Sequence, residues 1–195
     1  MRKYIQVSLI ADEVSGITLP VLMSHVMQAL HKVFVEIKDS KDTIPLGISF
    51  PHYDETRSTL GNSIRIHGEV HDLSEIDLSK ATIHLRDYVH VTSPRAIPGL
   101  KLKGYVAYSR IRHDHGKEKL IRRSIKRHAI NREEAEALYA GYTQDFFPNY
   151  PFVLMRSGST ANIYPIYIKR VLLESPGDGR FNTFGINPAA GVENF

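Results

Sequence analysis

The sequence predicts an α+β protein of two parts, an N-terminal ferredoxin-like domain followed by a basic α+β C-terminal domain with an arginine-rich helix. Three observations point there. Period-2 alternation and helical periodicity follow one another in the order β-α-β-β-α-β over the first ~90 residues. Ser93-Pro-Arg-Ala-Ile-Pro-Gly99, with two prolines and a glycine, then interrupts the pattern. Beyond it, strand-like alternation resumes around a helix whose charge is almost wholly of one sign. The expected domains are residues 1–94 and 100–195, with 95–99 as the linker.

Residues 3–10 are the first expected strand, with Ile5, Val7 and Leu9 on one side and Tyr4, Gln6 and Ser8 on the other. Pro20 opens a helical pattern in which Leu22, Val26, Leu30, Val33, Phe34 and Ile37 recur at intervals of three and four. Lys38-Asp-Ser-Lys-Asp42 closes it. Residues 46–50 form a short strand stopped by Pro51, and 63–67 alternate as another. Residues 71–80 make a short helix with little periodicity, and 88–92 the last strand of this unit. In the second half, 104–112 alternate as a strand that sends Arg110 and Arg112 to one face. His113-Asp-His-Gly116 is a turn, and the basic helix follows over 117–127. Asn131 and Glu134 have the spacing of a capping box, starting a helix that runs to about Tyr139. Residues 152–155 and 163–168 read as strands either side of Arg156-Ser-Gly-Ser-Thr-Ala-Asn162. Pro165 places the second of them at a sheet edge, where a missing N–H costs no ladder bond.

Charge is distributed unevenly. Residues 101–132 carry eleven Lys/Arg against two acids, net +9, whereas the rest carry 14 basic and 19 acidic side chains, net −5. Concentrated basic charge is the footprint of a phosphate-binding face. On a helix, Lys119, Arg122, Arg123, Lys126 and Arg127 share one arc of roughly 140°, and Leu120, Ile121 and Ile125 fall on the other side. Like charges at i,i+4 (Lys119/Arg123, Arg122/Lys126, Arg123/Arg127) destabilise an isolated helix by about 0.2–0.5 kcal/mol each. A polyanion relieves that repulsion. A solvated amphipathic helix is the bland reading of such a run; its single sign favours nucleic acid. The chain has no cysteine, which excludes disulfides, zinc ribbons and thiol nucleophiles and fits a cytoplasmic protein. No apolar run approaches the ~18 residues of a membrane span, and the N-terminal stretch alternates as a strand, unlike a signal-peptide core. No membrane partner is expected.

Among the ten histidines, His31 lies at the edge of the first helix's apolar face, beside Met27 and Phe34. Pattern alone reads it as a core-edge histidine. His113 and His115 could seed a metal site, yet no further ligand cluster accompanies them, so neither metal nor cofactor is expected. Ser157, Ser159 and Thr160 gather hydroxyls around Gly158 beside Arg156. They make either a turn satisfied by its own side chains or a nest of donors for a phosphate or ribose. No GxSxG, P-loop or dinucleotide fingerprint is present.

Three stretches together resemble a known family. They are Leu46-Gly-Ile-Ser-Phe-Pro-His-Tyr-Asp-Glu-Thr-Arg-Ser-Thr-Leu-Gly61 running on to Ile64-Arg-Ile-His67, then Lys119-Leu-Ile-Arg-Arg-Ser-Ile-Lys-Arg-His128 with Glu133-Glu-Ala135, and Pro151-Phe-Val-Leu-Met-Arg-Ser-Gly-Ser-Thr160. In this order, along nearly the whole chain, they are similar to the CRISPR-associated endoribonuclease of type I-F systems, which cuts the repeat hairpins of precursor crRNA. The resemblance implies metal-independent, site-specific cleavage at the 3′ base of a stem, in which a ribose 2′-OH loses its proton and attacks the adjacent phosphate. The family's general-base histidine matches His31, and an imidazole can accept a proton near neutral pH. The serine that positions the ribose matches Ser157, with flanking hydroxyls at Ser159 and Thr160. Arg110 matches an arginine that reads a guanine edge near the base of the stem, and Arg112 stands where the type member has a base-reading glutamine. Basic residues of the groove-inserted helix match Arg123, Lys126 and Arg127, with Lys119 and Arg122 on the same cationic face. Tyr164 matches an aromatic that stacks on a base near the cut.

Two departures stand out. The family's tyrosine near the active site falls on Phe184, which has no hydroxyl, and Gly191-Val-Glu-Asn-Phe195 lacks the closing Pro-Trp-Phe. The partners implied are the CRISPR repeat RNA hairpin, retained after cleavage, and the other subunits of the type I-F interference complex. Two further readings use the same features: an RNA-hairpin-binding subunit that does not cleave, and a DNA-binding regulator. The second lacks a helix-turn-helix glycine turn ahead of the basic helix.

Overall fold

Ile5, Val7 and Leu9 are all buried on one side of β1 (Arg2–Leu9), as their alternation dictates. The computed structural model describes residues 2–12, 14–111, 117–142, 150–158, 160–177 and 179–195. α1 (Leu19–Glu36) has Pro20 in its first turn, where the missing N–H would have had no helical partner. Its periodic stripe Leu22, Met23, Val26, Met27, Leu30 and Phe34 is buried. β2 (Thr43–Ile44), β3 (Gly47–Ser49) and β4 (Ser63–Glu69) follow. The weakly periodic 71–80 is two short helices, α2 (Val70–Ser74) and α3 (Leu78–Ala81). The Asp77 carboxylate accepts the Lys80 N–H and so starts a second helix where one was expected. β5 (Val89–Val91) and β6 (Arg95–Ala96) complete this part.

The strands lie in the order β3-β4-β1-β5, every neighbour antiparallel, with β6 also pairing β1. This is the ferredoxin-like order expected from the sequence. A second antiparallel sheet has the order β11-β7-β9-β8. Its members are β7 (Tyr105–Ile111), β8 (Phe152–Arg156), β9 (Ile163–Leu173) and β11 (Val192–Glu193), while β10 (Phe181–Asn182) pairs with β2. Between β7 and β8 come α4 (Lys117–His128) and α5 (Arg132–Leu138). β9 lies between β7 and β8 and is not an edge strand. Pro165 sits opposite Leu154 of β8, whereas the β7 ladder among the described residues ends at Ile111↔Tyr167. The proline rule therefore holds at the residue and fails for the strand.

Contacts divide the chain into two compact units, Met1–Ile111 with Asn149–Phe195, and Arg112–Pro148. Residues 95–99 lie inside the first, where Lys3 pairs with Ala96 and Tyr4 with Arg95. One hydrophobic core in this unit joins Val7, Leu30, Phe34 and Ile66 to Tyr108, Met155, Ile168 and Val192. Tyr108 stitches the two sheets: its hydroxyl accepts the Phe50 N–H at 3.1 Å and lies 3.3 Å from the Phe50 carbonyl. Burial pushes that hydroxyl up to about 12, which keeps it a neutral donor.

The second unit has its own logic. α4 buries Ile121 and Ser124 and leaves Lys119, Arg122, Arg123, Lys126 and Arg127 exposed. It ends where Ala129 turns left-handed, at φ +51°. α5 starts on the expected capping box, Asn131 taking the Glu134 N–H and the Glu134 carboxylate taking the Asn131 N–H. The hydroxyls of Ser124 and Tyr139, 2.9 Å apart, and the Arg132–Glu118 pair at 3.1 Å tie the two helices together.

Candidate active site

His31 is half-buried at the margin of α1's apolar stripe. Its Nδ1 lies 2.8 Å from the carbonyl oxygen of Thr183. A carbonyl only accepts, so the proton of the neutral ring sits on Nδ1 and Nε2 carries the available lone pair. Phe184 lies flat against the imidazole, with ring centroids 4.2 Å apart and an interplanar angle of 4°. Both partners come from one turn. Phe181 and Asn182 pair with β2, the Asn182 side chain accepts the Phe184 N–H at 2.8 Å, and Gly185 at φ +74° donates to the Asn182 carbonyl. The Gly185 carbonyl accepts the Ile48 N–H at 2.9 Å, and a Cβ at 185 would stand 2.7 Å from the Ile48 side chain. Glycine is required there for both its φ and its lack of a side chain.

Ser157 begins the turn that follows β8. Its N–H donates to the Asn162 carbonyl at 2.9 Å, its carbonyl accepts the Ala161 N–H at 3.0 Å, and its Oγ accepts the Thr160 N–H at 3.2 Å. Ala161 adopts φ +56°, a conformation uncommon for a residue with a Cβ. Two side chains of α1 fasten this strand. Ser24 Oγ accepts the Leu154 N–H at 3.0 Å and donates to the Pro20 carbonyl, and Gln28 Oε1 accepts the Arg156 N–H at 2.8 Å. Gln28 stands one turn before His31, and Arg156 directly precedes Ser157. The helix that carries the histidine thus holds the strand that leads into the serine. Sequence reasoning missed Ser24 and Gln28; two polar residues at i,i+4 beside an apolar stripe were the available signal.

Arg110 is exposed on β7, its guanidinium carbon 5.6 Å from the centroid of the Tyr164 ring on β9. Arg112 and Ser159 lie outside the described residues, as does the turn with His113 and His115. The cations Lys119, Arg122, Arg123, Lys126 and Arg127 all belong to α4 of the second unit.

A second histidine has the geometry of a nucleophile–base–acid relay. His67 Nε2 lies 2.9 Å from Ser49 Oγ, and its Nδ1 3.2 Å from Glu193 Oε2. Ser49 is 4% exposed, His67 0% and Glu193 9%, so no substrate reaches the hydroxyl. Burial lowers the imidazole below its ordinary value, and a neutral ring satisfies both neighbours. The cluster is structural.

A family model for CRISPR-associated protein (Cas_Csy4) matches residues 4–195. The chain belongs to the Cas_Csy4 family. Its relatives include the CRISPR-associated endonuclease Cas6/Csy4 of Pseudomonas aeruginosa (strain UCBPP-PA14), 30% identical over 175 residues that cover 89% of this chain and 90% of that one. The protein of the same name from Escherichia coli (strain UTI89 / UPEC) is 25% identical over 197 residues, with full coverage of both chains. Membership agrees with the resemblance carried by the three stretches from Leu46, Lys119 and Pro151. Among the described residues, the candidate site groups are His31 with its two ring partners, Ser157 with its turn bonds, and the Arg110–Tyr164 pair.

Proposed function

We propose that the chain is an endoribonuclease that processes CRISPR precursor RNA, cutting each repeat at the 3′ base of its stem-loop. The observation that carries this is the His31 Nδ1 bond to the Thr183 carbonyl, which leaves Nε2 as the base in a chain whose family relatives are named endonucleases. Nε2 takes the proton of the ribose 2′-OH. The 2′-oxygen forms a bond to the adjacent phosphorus, the bond from phosphorus to the 5′-oxygen breaks, and that oxygen leaves as a 5′-hydroxyl after taking a proton. The first product ends in a 2′,3′-cyclic phosphate. Ser157 positions the ribose, its Oγ held by the Thr160 N–H, and the hydroxyls of Ser159 and Thr160 are assigned to the same contact. Phe184 supports this chemistry without a hydroxyl, because its face fixes the imidazole plane.

Recognition is assigned to groups outside the reacting atoms. Arg110 reads a guanine edge, with Tyr164 as the stacking partner for a base at the cut, and Arg112 contacts the neighbouring base. The α4 cations Lys119, Arg122, Arg123, Lys126 and Arg127 grip stem phosphates, with Arg suited to bidentate contacts. The protein remains on the 3′ hairpin of its product and joins the type I-F interference complex through it. The test is a labelled repeat hairpin in EDTA, run beside His31→Ala and beside RNA with 2′-deoxyribose at the cut. One cut in EDTA that either change abolishes is expected. Tight binding with no cut of the unmodified RNA would leave a hairpin-binding subunit and remove the nuclease assignment.

A further inference from the structure

A cleft between α1 and the outer edge of β8 has no part in the chemistry above. Its volume is about 500 Å³, within the range of small-ligand sites. Four large apolar side chains line it and are still exposed: Val21 at 46%, Phe152 at 47%, Leu154 at 48% and Ile163 at 70%. Contiguous apolar exposure of this kind marks a contact surface. Gln28 and Arg156 line it as well, and these two, joined by a hydrogen bond, precede His31 and Ser157. The cleft therefore continues the candidate active site.

The pleat fixes which side it is on. Tyr164 pairs with the buried Met155, and both side chains fall on the inner face of the sheet with Ile166 and Ile168. Arg156 and Ile163 are the next pair and project to the opposite face, with Leu154 and Phe152. The proposed RNA contacts Arg110 and Tyr164 thus lie on one face of the β7-β9-β8 sheet and the exposed apolar side chains of the cleft on the other, and Ser157 directly follows β8. RNA that meets Arg110 and Tyr164 on the first face and bends at the scissile phosphate emerges 3′ of the cut on the second.

The occupant follows from what the cleft offers. The N–H groups of Leu154 and Arg156 are already bonded to Ser24 and Gln28, so a partner strand cannot add to this edge through them. Its walls are mostly apolar, with two rings, the exposed imidazole of His25 and Phe152, which packs on Tyr167 at a 5.5 Å centroid distance. Arg156, the residue before Ser157, also lines the cleft and brings a cation to it. Flat apolar walls for a base, with a cation for its phosphate, are the composition of a single-stranded nucleotide site. We propose that this cleft receives the nucleobase of the nucleotide immediately 3′ of the scissile phosphate, with Arg156 at the backbone phosphate that follows. The proposal deepens the cleavage reading and rests on it.

The experiment uses the full chain and an uncleavable repeat hairpin, 2′-deoxy at the cut, with 2-aminopurine as the first nucleotide beyond it. Binding is expected to quench the emission. Leu154→Asp and Phe152→Ala, both at exposed positions, abolish the quench while binding a hairpin that ends at the cut as tightly as the unaltered protein. In single-turnover cleavage at subsaturating protein, an abasic residue beyond the cut lowers the rate about tenfold. Leu154→Asp causes a similar loss on base-bearing RNA and none on the abasic RNA. Unchanged emission on binding, or a Leu154→Asp loss equal on the two RNAs, overturns the assignment and points to a protein occupant. Failure of the unaltered protein to cut the natural repeat removes only the cleavage reading, because the fluorescence arm is read on uncleavable RNA and still decides the cleft.

Discussion

At the scale of single residues, the orientation of one imidazole depends on one backbone carbonyl and one aromatic face. The Thr183 carbonyl sets the tautomer of His31 and the Phe184 ring sets its plane. Stacked ring pairs contribute about 0.5–1.5 kcal/mol beyond burial, so Phe184→Ala should slow cleavage at saturating RNA roughly 2- to 10-fold. Hairpin affinity should stay unchanged. Phe184→Tyr should remain near the starting rate; a large gain from the added hydroxyl would show that the phenol has a role the present ring lacks. Gly185 acts one step further out. Gly185→Ala combines a Cβ at φ +74° with a 2.7 Å approach to Ile48, so the turn must shift. Calorimetry should report a loss of about 1–3 kcal/mol, and cleavage should fall with it because Thr183 and Phe184 move together. An unaltered rate in the destabilised variant would mean that the turn does not position the base.

At the scale of elements, α1 acts as a clamp as well as a core helix. Gln28→Ala removes the acceptor of the Arg156 N–H, a bond of about 1 kcal/mol net, and lets the end of β8 move relative to His31. Cleavage should drop while affinity for a hairpin that ends at the cut holds, since that RNA does not reach the cleft Gln28 lines; an equal fall in that affinity would sink the clamp. α4 should show the opposite pattern. Arg123→Ala with Lys126→Ala should weaken hairpin binding and flatten the plot of log affinity against log salt by about two units of slope, leaving the rate at saturating protein unchanged. These elements differ in how far they could be read from the chain. α1, β1, α4 and the capping box of α5 were legible because each is specified by neighbours within a few residues: a periodic stripe, an alternation, a single-sign arc, an Asn–Glu spacing. β9 was misjudged because Pro165 reports only on its own N–H, and the partner that makes the strand internal comes from β7, more than fifty residues away. The Gln28 clamp and the Thr183–Phe184 contacts were invisible for the same reason: Asn182 and Gly185 signal a turn, but not which side chain it faces 152 residues earlier. His31 became a candidate by resemblance, since periodicity alone made it a core-edge residue.

At the scale of the whole chain, the last residues close the first unit over a buried charged cluster. β11 pairs with β7, Glu193 reaches His67 of β4 and lies 2.9 Å from Arg2 of β1, and Arg65 donates to the Phe195 carbonyl with its guanidinium 4.1 Å from that ring. The N-terminal strand, the ferredoxin-like sheet and the C-terminal segment are thus tied at one point, which makes stability depend on the protonation of two groups. Burial holds the His67 imidazole below its ordinary 6.5, against the pull of Glu193 and helped by Arg2 and Arg65. The unfolded chain then binds a proton that the fold does not, so this contribution is complete above about pH 6.5 and declines as pH falls below it. Burial pushes the Glu193 carboxyl upward, but hydrogen bonds from His67 and its own N–H, with the charge of Arg2, bring it below the ordinary 4.5. Its contribution is present above that value and lost as pH falls through the depressed one, so the two effects have the same sign in successive windows. Melting temperature should therefore begin to fall near pH 6.5 and fall faster below about 4.5. His67→Gln, whose amide can still bond Ser49 and Glu193 but does not titrate, should lower the plateau and flatten the limb between those two values. Because the readout is the slope and not the height, a variant that is less stable throughout still decides the matter. A limb that keeps its full slope in His67→Gln would place the acid sensitivity outside this cluster.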